Sequence, residues 1–122
     1  MKSPEPRVTE MLLEEIDGYP CVVLRGECDS ELASRLRQRL DPLIRRGCRG
    51  LMVDTRGVRY LDDSCYQALT GAVAQVRAAG GECVIVDQSD PLERTLKLLS
   101  LGEHVRSVPT VSQATSYLRW AH

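Results

Sequence analysis

Short apolar runs alternate with capped, helically periodic stretches along almost the whole chain, and this alternation is the feature that most restricts the fold. Met11 to Ile16 reads as a short strand, Asp17-Gly18 supplies hairpin-turn chemistry, and Cys21-Val22-Val23-Leu24 is a second, β-branched strand run. Leu51-Met52-Val53 and Cys83 to Val86 are further runs unbroken by charge, a pattern suited to strands buried on both faces. Val105 to Val108 is a fifth. Between them lie helical patterns. Asp29 is placed to cap a helix carrying Leu32, Leu36, Leu40, Leu43 and Ile44, in which Pro42 is expected to force a kink or a restart near Asp41. A loop from Thr55 to Leu61 then leads to a helix from about Ser64 to Ala79, striped by Leu69, Val73 and Val76 and ended by Gly80-Gly81. Asp90-Pro91-Leu92-Glu93 opens a third helix lined by Leu92, Leu96 and Leu99. Thr110 with Gln113 caps a fourth carrying Ala114, Tyr117 and Leu118.

The resulting order is β-β-α-β-α-β-α-β-α. Strands separated by helices run parallel through right-handed crossovers, so only the first strand is expected to be antiparallel. The fold class is therefore α/β: one mixed, mainly parallel sheet of about five strands, with four helices mostly on one face. A chain of 122 residues is one domain in size. Residues 1–10, polar and containing Pro4 and Pro6, read as a lead-in to a domain over 11–122.

Composition narrows the chemistry. With 16 basic against 17 acidic side chains, no cationic excess exists to grip a phosphate backbone, so nucleic acid is not an expected partner. No apolar run approaches the roughly 20 residues of a membrane span. The five cysteines are Cys21, Cys28, Cys48, Cys65 and Cys83; none stand in C-x-x-C spacing, and only His104 and His122 could join them around zinc. No metal or other cofactor is expected, and an odd number of scattered thiols fits a reducing cytoplasm better than a disulfide framework. Dinucleotide and P-loop glycine patterns are missing, and no nucleophile–base pair can be assembled, so an enzyme is not expected.

Three stretches, read together, resemble a STAS domain of the anti-sigma factor antagonist type. Leu24-Arg25-Gly26-Glu27-Cys28-Asp29 is similar to the family's L-x-G-E-L-D. Met52 to Cys65, ending Leu61-Asp62-Asp63-Ser64-Cys65, resembles its strand-D-L-S-x-V-x-F-I-D-S-S-G. Ala79-Gly80-Gly81-Glu82-Cys83-Val84-Ile85-Val86 is like its A-x-G-G-x-L-x-L-V, and Val108 to Ala114 is also similar, so the likeness covers about residues 10–120. The resemblance implies phosphorylation at Ser64 by an anti-sigma factor that is itself a GHKL-type serine kinase, with a serine phosphatase to reverse it. It implies a partner-binding surface of Asp29, Asp62, Asp63, Ser64, Cys65 and Tyr66. Two positions depart from the pattern: Asp63 replaces its first serine and Cys65 its glycine. The departures favour an alternative, a non-phosphorylated scaffold or an accessory subunit of a stress-sensing or membrane transport complex.

From the residues alone, Ser64 stands where a loop meets a helix, a position with free N–H groups and a favourable dipole for an anion. Ser64 with Gln67 is also an ordinary capping box, and Asp62 is a second candidate for the cap. Cys65 is either a small packed residue or an exposed thiol with a lowered pKa. The arginines of the first helix read as a solvated face.

Overall fold

The computed structural model describes residues 10–88 and 106–121. Within them are five strands: β1 (Glu10–Ile16), β2 (Tyr19–Cys28), β3 (Gly50–Leu61), β4 (Glu82–Val86) and β5 (Arg106–Val108). The three described helices are α1 (Ser30–Arg45), α2 (Asp63–Ala78) and α3 (Val111–Ala121). The helix expected from Asp90 to Leu99 lies outside the described residues, as do Val105, His104 and His122.

One sheet holds all five strands in the order β1-β2-β3-β4-β5. β1 pairs antiparallel with β2, and every later pair is parallel, as the alternation of strands and helices requires. The β1–β2 turn is made by Asp17 (φ 54°) and Gly18 (φ 85°), the left-handed pair that a two-residue hairpin needs. Ile16 therefore faces Tyr19 and Met11 faces Leu24 across the hairpin.

Alternation along the strands divides the core in two. Val22, Leu24, Leu51, Val53, Cys83 and Ile85 face α1 and α2, meeting Leu32, Leu36, Leu40, Leu69, Val73 and Val76. Cys21, Val23, Met52, Val84 and Val86 face the other way, against Ala114 and Leu118 of α3. Both sides of the central strands are covered, which is why their sequences are apolar without a break. Truncating a fully buried leucine such as Leu36 removes its transfer energy and leaves a cavity, about 2–5 kcal/mol together.

Two sequence expectations need correction. Thr55 to Leu61 is not a loop. β3 continues through it, pairing Gly57 with Arg25, Val58 with Gly26, Tyr60 with Glu27 and Leu61 with Cys28. The polar residues misled because this half of β3 is exposed at Arg56, Gly57, Arg59 and Tyr60; two register shifts let it follow β2 to its end. Nor does α1 restart at Asp41. It runs unbroken to Arg45 with Pro42 in its last turns. A proline there forfeits one backbone bond, and Leu40, Leu43 and Ile44 hold the turn by packing on the core.

Where β3 passes from core to surface, Asp54 is buried and Arg56 clamps it. Nε donates to Oδ1 at 3.0 Å, Nη2 to Oδ2 at 2.9 Å, and the Arg56 backbone N–H to Oδ1 at 3.1 Å. Burial pushes the Asp54 carboxyl up, but the guanidinium and the backbone N–H pull it down further, to a net value below the ordinary carboxylate range. A depressed native pKa adds stability that is complete above the unfolded pKa and is lost as pH falls through the native one. Thermal melts of wild type and Asp54→Asn should therefore differ most near neutral pH. The gap should narrow well below about pH 4, where the wild-type carboxyl is protonated too. A gap that stays constant into acid would remove the ion pair as its cause.

Candidate functional site

The parallel pairing of β2 with β3 ends with Cys28 beside Leu61, and the residue after each is an aspartate that caps a helix. Asp29 Oδ1 accepts the Leu32 N–H at 3.0 Å and opens α1. Asp62 Oδ1 accepts the Cys65 N–H at 3.1 Å and opens α2. Two helix N-termini thus start side by side at the carboxyl end of the sheet, the edge where open α/β sheets present their sites. The Asp62 N–H donates to the Cys28 carbonyl at 3.0 Å, and the Cys65 thiol donates to the Asp29 carbonyl at 3.0 Å. These two bonds tie both caps to one frame.

The cap of α2 corrects the sequence reading. Asp62 holds it, so Ser64 lies inside the first turn and does not form the expected capping box with Gln67. The Ser64 hydroxyl instead donates to Asp62 Oδ1 at 2.5 Å. That hydroxyl is the first cause of a depressed Asp62 carboxyl pKa; the N–H and S–H of Cys65 add to it. Asp62 is therefore a carboxylate at neutral pH, holding the serine oxygen in one orientation. Ser64 and Tyr66 are half-buried and Asp63 is exposed, so all three residues are at least partly accessible in one turn.

The structure brings Asp29, Asp62, Ser64 and Cys65 together, joined through the Cys65–Asp29 bond. Asp29 is exposed, and its carboxylate is directed to its own helix. Cys65 takes the packed alternative. It is 1 % exposed, and burial pushes its thiol up to about 12, with the nearby Cys28, Asp62 and Asp29 adding to the rise. The low-pKa form of a helix N-terminal thiol is thereby excluded. What sequence reasoning missed here is the Cys65–Asp29 bond, because the two residues lie 36 positions apart. A cysteine in place of the glycine of the resembled pattern is the one local signal that could have pointed to it.

A paired-cap edge with a half-buried serine, on a five-stranded mixed sheet, defines a STAS-type module. The family described as "Mlab, STAS domain" matches residues 12–109, and the chain belongs to it. A curated relative, an anti-sigma F factor antagonist of Paenibacillus polymyxa, is 27% identical over 90 residues, covering 73% of this chain and 77% of its own. An anti-sigma factor antagonist from Mycobacterium paratuberculosis superimposes with a TM-score of 0.79 at 23% identity, over 93% of this chain and 97% of that one. The Bacillus cell fate determinant SpoIIAA in its phosphorylated form gives 0.76 at 18% identity, over 90% of this chain and all (100%) of that one. The fold also forms 22% of the chain of murine Slc26a9, an anion transporter, with a TM-score of 0.64 at 15% identity over 93% of this chain. Those structural likenesses establish the fold. Among the described residues, no helix is long and apolar enough to cross a membrane.

Two outcomes follow from the geometry. Because Asp62 makes the cap, Asp62→Ala should lower the melting temperature more than Ser64→Ala does, reversing the order expected if Ser64 were the cap. The second concerns the thiols. All five are unbridged; Cys48 is half-buried and the other four are buried. Burial raises every one, Cys21 and Cys28 to about 11 and Cys65 and Cys83 to about 12. Alkylation of the native protein should modify Cys48 first and slowly, and peptide mapping would identify the site. Early modification of Cys65 would contradict its buried position.

Proposed function

We propose that this domain is an anti-sigma factor antagonist whose binding is switched by phosphorylation of Ser64. The observation that carries the reading is the Ser64 hydroxyl itself. It belongs to a half-buried residue, is fixed by Asp62, and is set in the first turn of α2 at the position matching the family's phosphorylated serine. The curated relative's description as an anti-sigma F factor antagonist supports the same role. The unmodified domain binds an anti-sigma factor, a GHKL-type serine kinase, through the surface around Asp29, Asp62, Asp63, Ser64 and Tyr66, and the sigma factor is released. Cys65 supports that surface from beneath. A serine phosphatase restores the binding form. Unbridged thiols suit action in the cytoplasm.

Phosphorylation would act through charge. A phosphate adds about −1.5 to −2 charges at neutral pH and replaces the O–H donor that Asp62 accepts. The added charge then lies beside the Asp62 and Asp63 carboxylates, at the surface a partner must cover. Each 1.4 kcal/mol or so of lost interaction is tenfold in affinity, so one buried phosphate suffices to release the complex.

A second reading, a non-phosphorylated scaffold or transport-complex accessory subunit, is favoured by one local observation. Asp63 already sets an exposed carboxylate in the first turn of α2, so the loop is negative before any modification. In that role the loop would bind a partner with no chemistry.

Incubation with the cognate kinase and ATP should add one phosphate at Ser64, read by mass spectrometry, and Ser64→Ala should abolish it while leaving the complex permanently formed. Ser64→Asp should weaken partner binding, though less than phosphate does, because it carries less charge and fewer acceptor oxygens. If Ser64 stays unmodified and Ser64→Asp binds as wild type does, the switch is excluded and the scaffold reading takes its place.

A further inference from the structure

The opposite end of the sheet carries a cavity that the paired-cap site does not use. Its volume is about 370 Å³, and its walls come from the β1–β2 turn, the end of α1 and the start of β3. Tyr19, Pro20 and Leu43 supply apolar surface, Cys48 a thiol, and Arg46 and Arg49 two guanidinium groups; among the described residues no carboxylate lines it. The direction of the chain separates this place from Ser64. Gly50, in the cavity wall, is the first residue of β3, whereas Leu61, its last, leads into the Asp62 cap.

The walls are held in place. A Cβ on Gly50 would lie 2.8 Å from Tyr19 Cδ1, so the tyrosine ring sits directly on the Gly50 backbone. The Cys48 thiol donates to the Gly50 carbonyl at 3.0 Å, fixing the segment between α1 and β3. Gly18 and Gly47, both at φ 85°, turn the chain at the rim without a side chain to block it. Both arginines are exposed, and no ion pair of Arg46 is found among the described residues. The closest acid along the chain, Asp17, lies in the exposed turn next to Gly18.

We infer that this cavity is a second docking site, which takes a segment of a partner protein presenting carboxylates beside an apolar side chain. The charge complementarity is specific: the Arg46 guanidinium fork matches a carboxylate, and it flanks an apolar wall with no acid among the described lining residues. Concavity favours an inserted side chain over a flat bilayer surface. Helix electrostatics accounts for cations at the end of α1, but not for a tyrosine pinned over a glycine to form the wall. A domain with sites at both ends of its strands can stay attached to one protein while Ser64 governs its contact with another.

The probe is the blocked tripeptide acetyl-Glu-Phe-Glu-amide, titrated into the 15N-labelled domain, with acetyl-Lys-Phe-Lys-amide as control. The acidic peptide should shift the Gly18, Gly47 and Gly50 amides saturably in the millimolar range and slow alkylation of Cys48. The basic peptide should do neither. Arg46→Glu with Arg49→Glu should weaken the acidic peptide at least about tenfold. Arg46→Gln, a milder change at the end of α1, should weaken it in the same direction with the fold intact by its amide spectrum. The inference is overturned if those amides do not move by about 10 mM peptide, or if the two peptides bind alike. It is equally overturned if anionic phosphatidylglycerol vesicles engage the arginines while the peptide does not, or if the site proves to be covered by a second copy of the chain. None of these readouts involves Ser64, so the phosphorylation reading stands or falls separately.

Discussion

The parallel register of β2 on β3 is the constraint from which the site follows. Cys28 and Leu61 finish level, so Asp29 and Asp62 arrive side by side, each free to cap the helix it precedes. A slip of one residue would turn Val53 and Leu51 from the α1–α2 core toward α3 and reverse the burial of the whole strand, which is why the register is firmly held. It would also move Asp62 away from the Cys28 carbonyl that its N–H meets. Packing deep in the sheet thus fixes the position of a half-buried serine, through a strand whose second half is exposed at Arg56, Gly57, Arg59 and Tyr60.

Much of this was legible in the residues. Apolar runs and capped stripes gave the succession of strands and helices along the described chain, the single antiparallel pair and the position of Asp29, because each rests on interactions a few residues apart. Asp17-Gly18 was readable for the same reason: only a short list of residues tolerates positive φ twice in succession. The misreadings share a different cause. Thr55 to Leu61 looks like a loop because its arginines and tyrosine face water, and only β2, whose pairing residues lie about thirty positions earlier, makes it a strand. Pro42 looks like a kink or a restart because local preference says so, yet Leu43 and Ile44 beside it pack against the core and hold the turn. Tertiary packing overrides propensity in both cases.

The site shows the same division at smaller scale. Sequence offered two caps for α2, Asp62 and Ser64, and local rules could not separate them, since both residue types serve well. The choice is made by the Cys28 carbonyl, which fixes the Asp62 backbone before α2 begins. With Asp62 held there, its carboxylate reaches the Cys65 N–H, and Ser64 becomes a donor to the cap in place of the cap itself. A serine relieved of capping bonds the cap carboxylate through its hydroxyl, where a capping serine would accept from the helix end.

The two departures from the resembled D-S-S-G pattern now divide by physical role. Cys65 is a packing residue: it fills a buried position beside Cys28, and its thiol bonds the Asp29 carbonyl, work that a glycine there could not do. Its thiol is pushed up far from neutrality, so it brings no charge to the loop. Asp63 is the reverse case, an exposed side chain that adds a carboxylate near the N-terminal end of the α2 dipole. That position favours an anion, so Asp63 costs the helix nothing. Its consequence is for contrast. In a loop with serine at this place, a phosphate would stand beside one acidic side chain of the loop; here it would stand beside two, Asp62 and Asp63. A partner covering this surface must therefore accommodate the Asp62 and Asp63 side chains together with that of the exposed Asp29. The complementary surface has to be cationic or rich in N–H donors, and under the proposed switch a phosphate would have to be excluded by fit as well as by charge.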